Sequence, residues 1–397
     1  MTSALNVFVE NLQQRILPFW LANGFDDEIY MFAERLDLLG NPLPNVPMRA
    51  MVQARQIAVY GDAARRGLSL EGGEAAIKAL ENLLARYCDE GDVSRGFAFS
   101  IARRGEVVDP KRDAYTHAFV LFALAAAHRL TGEPRYLRIA AQTDAFIHAH
   151  LVDHVHLGLF TQAPTISQDK LQNPHMHLLE AYLALLETSR DEKYLERAAQ
   201  IVELFDRRLY RHDIDVLPEY LARDWTEHPD PELGRFFEPG HHFEWAWLLC
   251  QFDRLAKTDN RRFVDGLWQT ACRSGVDDAG LCYDAVDFEF KPFKSSTRLW
   301  PHTEAIKAAA VKLQDDPKAR GVAETMACTL NTVFLGMPFA EGWIDQFDAQ
   351  GRPRVDYVPA SSLYHLYLAS TEISGLDVGR SDPAEAGHAS GLDTNGN

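Results

Sequence analysis

Residues 238–249 read EPGHHFEWAWLL, and here His241 and Glu244 stand three apart. On a helix that spacing puts imidazole and carboxylate on one face. His177 and Glu180 repeat it in NPHMHLLEA. RLWPHTEA supplies Trp300, His302 and Glu304, and SSLYHLYLA supplies Ser361 and His365. DAYTHAF adds Tyr115 and His117, NPH adds Asn173, and Arg55 sits among apolar neighbours in MVQARQIAVY. Imidazole takes and gives a proton near neutral pH. Paired histidines therefore suit moving a proton on and off carbon, such as the carbon next to a sugar carbonyl. That chemistry also needs donors around the enediolate oxygens, which helix N-termini and the Arg55 cation offer.

Other chemistries fit these residues less well. Di-iron bundles use Glu-x-x-His, the reverse order. HExxH and clustered cysteines are absent, so no metal is expected. A glycosidase needs two opposed carboxylates and has less use for several histidines. GxSxG, a P-loop and GxGxxG are missing too, and no cofactor is expected. A binding toroid without turnover would have little reason to bury so many polar groups. Arg235, in the loop HPDPELGRFFEPG, joins Arg55 as a candidate partner for an anionic substrate group. Without a compact basic cluster, a neutral sugar is favoured.

Helical periodicity and capping signals predict about twelve helices, near 5–20, 47–65, 72–88, 113–131, 134–149, 170–189, 193–210, 240–257, 259–274, 301–314, 318–336 and 358–373. Short alternating stretches that read as strands and hairpins separate them, and many open on glycine, at Gly96, Gly158, Gly280 and Gly342. Each even-numbered helix carries one of Arg55, His117, His177, His241, His302 and His365, separated by 62, 60, 64, 61 and 63 residues. This beat predicts six helical hairpins, each with one inner and one outer helix. Six units can close on themselves as an all-α (α/α)6 barrel with short β-hairpins at one rim, which removes the open ends that a solenoid must cap. One catalytic domain is expected over 1–374. The small, polar, Gly-rich segment 375–397 is expected to be a disordered tail.

The chain has 397 residues, 46% hydrophobic and 24% charged, enough for a large core, and its net charge of −17 argues against nucleic acid or an anionic membrane as partner. Five cysteines without a CxxC pair point to reduced thiols and a cytoplasmic location. No run is long enough to span a membrane, and a monomer or homodimer is expected.

NPHMHLLEA, PGHHFEW, RLWPHTEA and SSLYHLYLA, in this order, resemble the N-acylglucosamine 2-epimerase superfamily over about residues 5–373. They look most like its D-mannose isomerase and sulfoquinovose isomerase branch. The resemblance implies an (α/α)6 barrel and metal-independent isomerisation or C2 epimerisation of a monosaccharide through a cis-enediol. It implies His241 and His365 as the acid/base pair at C1 and C2, with His177 assisting ring opening. Arg55, Tyr115, Asn173, Glu244, Trp300, Glu304 and Ser361 would hold the sugar. Some relatives carry Gln where Ser361 stands, which bears on the preferred sugar. Sulfoquinovose, mannose 6-phosphate and N-acylglucosamine remain alternatives to mannose.

Overall fold

The computed structural model describes residues 3–167 and 169–378. Its helices follow the expected alternation. Helix α1 runs over Ala4–Asn11, a π turn at Leu12–Ile16, and Leu17–Gly24. Then come α2 (Ala50–Arg65), α3 (Leu70–Arg86), α4 (Ala114–Thr131), α5 (Pro134–His150), α6 (Gln172–Ser189) and α7 (Glu192–Leu204). The series ends with α8 (Pro239–Ala256), α9 (Arg261–Ser274), α10 (Trp300–Lys312), α11 (Ala319–Thr329) and α12 (Leu363–Val378). A short extra turn, Pro231–Gly234, lies in the loop before α8. Helix α12 carries helical backbone through Val378, so it enters the segment expected to be tail; 379–397 lies outside the described residues.

Even and odd helices differ in what they bury. In α8 every residue from Pro239 to Leu249 is buried. In α9 the buried residues are Val264, Leu267, Trp268, Thr270 and Ala271, the single stripe of an amphipathic surface helix. The even helices are therefore the inner ones. They pack in chain order, α2 on α4, α4 on α6, α6 on α8, α8 on α10 and α10 on α12, and α12 packs back on α2.

The rim repeats this cycle in hydrogen bonds. The short strand that leads into each inner helix pairs antiparallel with the next hairpin. Met48–Arg49 pairs with Ser100–Ile101, Arg112–Asp113 with Gln162–Ala163, and Lys170–Leu171 with Tyr220–Leu221. Phe236–Phe237 pairs with the strand Ala285–Asp287, and Thr297–Arg298 with Gln346–Phe347. The sixth, Val358–Pro359, pairs with Arg35–Leu36 of the first hairpin. Trp20 stacks on Trp343 at 4.8 Å and ties the first helix to the last hairpin.

A side chain in the first turn of five inner helices locks this rim. The backbone N–H groups of Phe97, Leu159, Leu217 and Cys282 donate to Nε2 of His117, His175, His242 and His302, at 2.8–3.1 Å. In α2, Gln53 does the same for Phe32, whose N–H donates to Oε1 at 2.9 Å. Nδ1 of His117, His175 and His302 faces the carbonyl four residues back, which fixes the proton on Nδ1. Gly96 and Gly158 take φ +73° and +68° beside these rings. A Cβ there would come within 2.8 Å of His117 Nε2 and 2.7 Å of His175 Nε2. The glycines at the hairpin starts therefore make room for the lock as well as for the turn.

Candidate active site

The leading strands place the first turns of the inner helices around one cavity of about 280 Å³. Its walls include Arg55, Tyr115, Asn173, His177, His241, Glu244, Trp300, Ser361 and His365. All nine were singled out in the sequence. The remaining polar lining is Glu219, Tyr220, Glu238, Arg298, Asp345 and Ser362.

His241 presents Nδ1 to both carboxylate oxygens of Glu219, each at 2.9 Å. Its Nε2 lies 3.2 Å from Asn173 Nδ2. Burial disfavours the imidazolium, but the Glu219 charge and hydrogen bond, helped by Glu238 and Glu244, raise His241 to about 9. His365 presents Nδ1 to Glu304 Oε1 at 2.8 Å. Here burial prevails over the Glu304 hydrogen bond, with Arg55 and Lys307 adding positive charge, and His365 falls to about 4. Trp300 stands between the two rings, its centroid 4.8 Å from His241 and 5.7 Å from His365. At neutral pH one histidine therefore holds a proton and the other can accept one.

His177 completes the histidine set. Its Nδ1 lies 3.1 Å from Glu180 Oε2 and 3.8 Å from Glu244 Oε1. Burial lowers it to about 4. Arg55 donates to the Tyr115 hydroxyl at 2.6 Å and to the Ser361 carbonyl at 3.2 Å. Its guanidinium lies over Phe119 and Tyr364, and it has no carboxylate partner among the described residues. Glu244 is pushed well above the usual carboxylate range, first by burial and then by the Glu304 charge. Three buried atoms of lining residues lack a hydrogen-bond partner: Arg55 Nε, Asn173 Oδ1 and Glu244 Oε1. A ligand rich in hydroxyl groups suits such a wall.

The family model for N-acylglucosamine 2-epimerase (GlcNAc 2-epimerase) matches residues 31–369. The chain belongs to the N-acylglucosamine 2-epimerase family. This is a family of sugar epimerases and isomerases. The chain is similar to the mannose-6-phosphate isomerase of Rhizobium meliloti (strain 1021), with 30% identity over 372 residues, 91% of this chain and 94% of that protein. It is 29% identical to the D-mannose isomerase of Pseudomonas cannabina pv. alisalensis over 312 residues, 70% of this chain and 72% of that one. Among solved structures, the cellobiose 2-epimerase from Bacillus thermoamylovorans B4167 superposes with a TM-score of 0.83 at 20% identity. That match covers 94% of this chain and 99% of the other, and it is a likeness of fold.

Within this N-acylglucosamine 2-epimerase family chain, five expected binding residues lie outside the cavity wall. His117 and His302 are rim locks, fully buried with both nitrogens engaged. Arg235 is 60% exposed and pairs with Glu227 at 3.3 Å, away from the cavity. Glu180 and Glu304 stand one step behind, holding His177 and His365.

Sequence reading passed over Glu219, Glu238, Arg298, Asp345 and Lys307. A signal for two of these, Glu219 and Asp345, existed in the hairpins, in register with Asp284. Glu219, Asp284 and Asp345 each follow an apolar strand start, near the same 60-residue beat as the histidines. Lys307 gave a weaker one, as a lysine inside the alanine-rich run EAIKAAAVK.

Among the described residues, three sets of side chains bring ligand-type atoms within 4.8 Å of one another: His177, Glu180 and Glu244; Glu219, Glu238 and His241; Glu244, Glu304 and His365. The last two already hold a cation of the protein. Arg298 lies 2.6 Å from Glu238, and the Lys307 ammonium lies 2.7 Å from Glu304. In the first set, Glu180 also accepts from the Tyr364 hydroxyl.

Proposed function

We propose that the protein interconverts D-mannose and D-fructose without a metal, with D-lyxose and D-xylulose as a second pair. The scaffold would be a closed (α/α)6 barrel, one catalytic domain ending with α12. The cyclic packing of inner helices and the sixfold rim pairing support that closure. The cavity, near the small end of small-molecule sites, suits a monosaccharide.

One observation carries the reading: two histidines with opposite proton occupancy face one cavity across Trp300. In the open-chain sugar, neutral His365 removes the C2 proton while protonated His241 donates to the C1 carbonyl oxygen. The cis-enediol results. His365 then returns its proton to C1 and His241 takes back the O2 proton, which leaves the ketose and restores both residues. Arg55, beside Tyr115, stabilises negative charge on the enediolate oxygens. His177 assists ring opening, and Glu244 holds a hydroxyl. Lys307 and Arg298 support metal independence, because each fills the place where a cation would balance the carboxylates.

A second reading, mannose 6-phosphate, is favoured by the similarity to the mannose-6-phosphate isomerase of Rhizobium meliloti. Two points support the neutral sugar: Arg298 is already held by Glu238 and Asp284, and Arg55 is assigned to the enediolate oxygens. The test is incubation with mannose plus EDTA, with product analysis, beside the same assay on mannose 6-phosphate. Fructose formed in chelator supports the proposal. Loss of activity with EDTA, glucose as sole product, or a far higher kcat/KM for the phosphate contradicts it.

A further inference from the structure

His241 and His365 are built alike and surrounded differently. Each gives Nδ1 to a carboxylate. The other partners of Glu219 are N–H donors, from the Gln172 side chain at 2.9 Å and the Glu238 backbone at 3.1 Å. Glu304 instead turns its second oxygen to a cation. Lys307 lies one turn along α10, with Nζ 2.7 Å from Glu304 Oε2. The contact is an ion pair rather than an aligned hydrogen bond. Both side chains are fully buried, and Nζ lies 4.0 Å from the centre of the Trp247 ring. Burying an ammonium is costly unless it is well paired. Its place behind the wall keeps it from touching a sugar, since Lys307 does not line the cavity.

We infer that Lys307 is a positioning residue for the proton transfers: its ammonium neutralises Glu304, so that this carboxylate aligns His365 without trapping a proton on it. This rests on the reading of His365 as the base. A carboxylate on Nδ1 does two things at once, orienting the ring and favouring its charged form. A base needs the first and is harmed by the second at low pH. The surroundings of His365 fit this division. Glu304 and Lys307 face it from α10, Glu244 from α8 and Arg55 from α2, with Asp345 bonded to Ser362 one turn before it and His241 and Arg298 elsewhere on the cavity wall. His177 lines the same cavity, and Glu180 lies behind, bonded to His177 and to Tyr364 beside His365. The competing role is structural, a tie among the buried carboxylates Glu180, Glu244 and Glu304, whose charges all reach Lys307.

The test uses the full chain with Lys307→Met, Glu304→Gln and the double variant. Two quantities are read: kcat/KM for mannose against pH, and the titration of the His365 ring by NMR on histidine-labelled protein. In Lys307→Met the acid limb and the His365 titration should both move up by about one pH unit or more, a tenfold loss at a fixed pH on that limb. KM should change little. A folded variant with both unmoved overturns the inference. If Lys307→Met does not fold, Glu304→Gln and the double variant decide, because they share a neutral partner for His365 and differ only in the Lys307 charge. His365 should titrate lower in Glu304→Gln than in the double variant; equal values overturn the inference. Absence of any sugar turnover in the unmodified enzyme would sink the proposed function alone, since the ring titration still reads Lys307.

Discussion

Both carboxylate oxygens of Glu219 lie 2.9 Å from Nδ1 of His241. This pairing keeps His241 protonated at neutral pH in spite of its burial. The activity should therefore fall at alkaline pH as His241 loses its proton near 9, and at acid pH as His365 gains one near 4. Glu219→Gln keeps the ring's hydrogen bond and removes the charge. Its alkaline limb should move down toward neutrality while the acid limb stays. The same pairing contributes stability fully below about 6.5, and this is lost as pH rises through about 9. A pH–rate profile of Glu219→Gln that overlays the parent would show that the pairing does not set the acid.

The rim locks predict an effect on stability without one on chemistry. His302→Leu leaves the buried Cys282 N–H without an acceptor, which costs about 1–3 kcal/mol. His302→Gln should lose less, because Gln53 already does this work in the first repeat. Thermal unfolding should rank parent, Gln and Leu in that order, with kcat nearly constant among folded variants. His117, His175 and His302 are lowered to about 4 and His242 to about 3, mainly by burial. These groups take up protons only on unfolding. Their contribution is complete above about 6.5 and is lost as pH falls toward 4, so Tm should drop steeply over that window.

Arg235 pairs with Glu227 at the surface. Arg235→Ala should leave kcat/KM for mannose within about twofold and should not alter the preference between mannose and its 6-phosphate. A selective loss on the phosphate, measured side by side, would bring Arg235 back as an anion partner.

The helices and the histidine beat were legible because both follow from periodicity. Burial all round α8 and a single stripe on α9 leave different patterns in the chain. The division of labour among the histidines was not legible. His117 and His302 share the beat with His177, His241 and His365, yet they serve the rim lock together with His175 and His242. One or two positions along a helix turn a ring from the hairpin backbone to the cavity, and spacing near 60 residues cannot resolve that. Glu219 and Lys307 escaped notice for another reason. Each acts through a partner distant in sequence or masked by an apolar run, and only packing reveals the pair.

In the proposed cycle His365 carries the proton between C2 and C1, and His241 serves the two oxygens. The most direct measurement follows mannose turnover in deuterated water by NMR, with the parent enzyme, His241→Asn and His365→Asn. The parent should form fructose and place deuterium at C1 of fructose and C2 of mannose. Each variant should lose about a hundredfold or more in kcat with little change in KM. Full turnover and full exchange in His365→Asn would contradict the account.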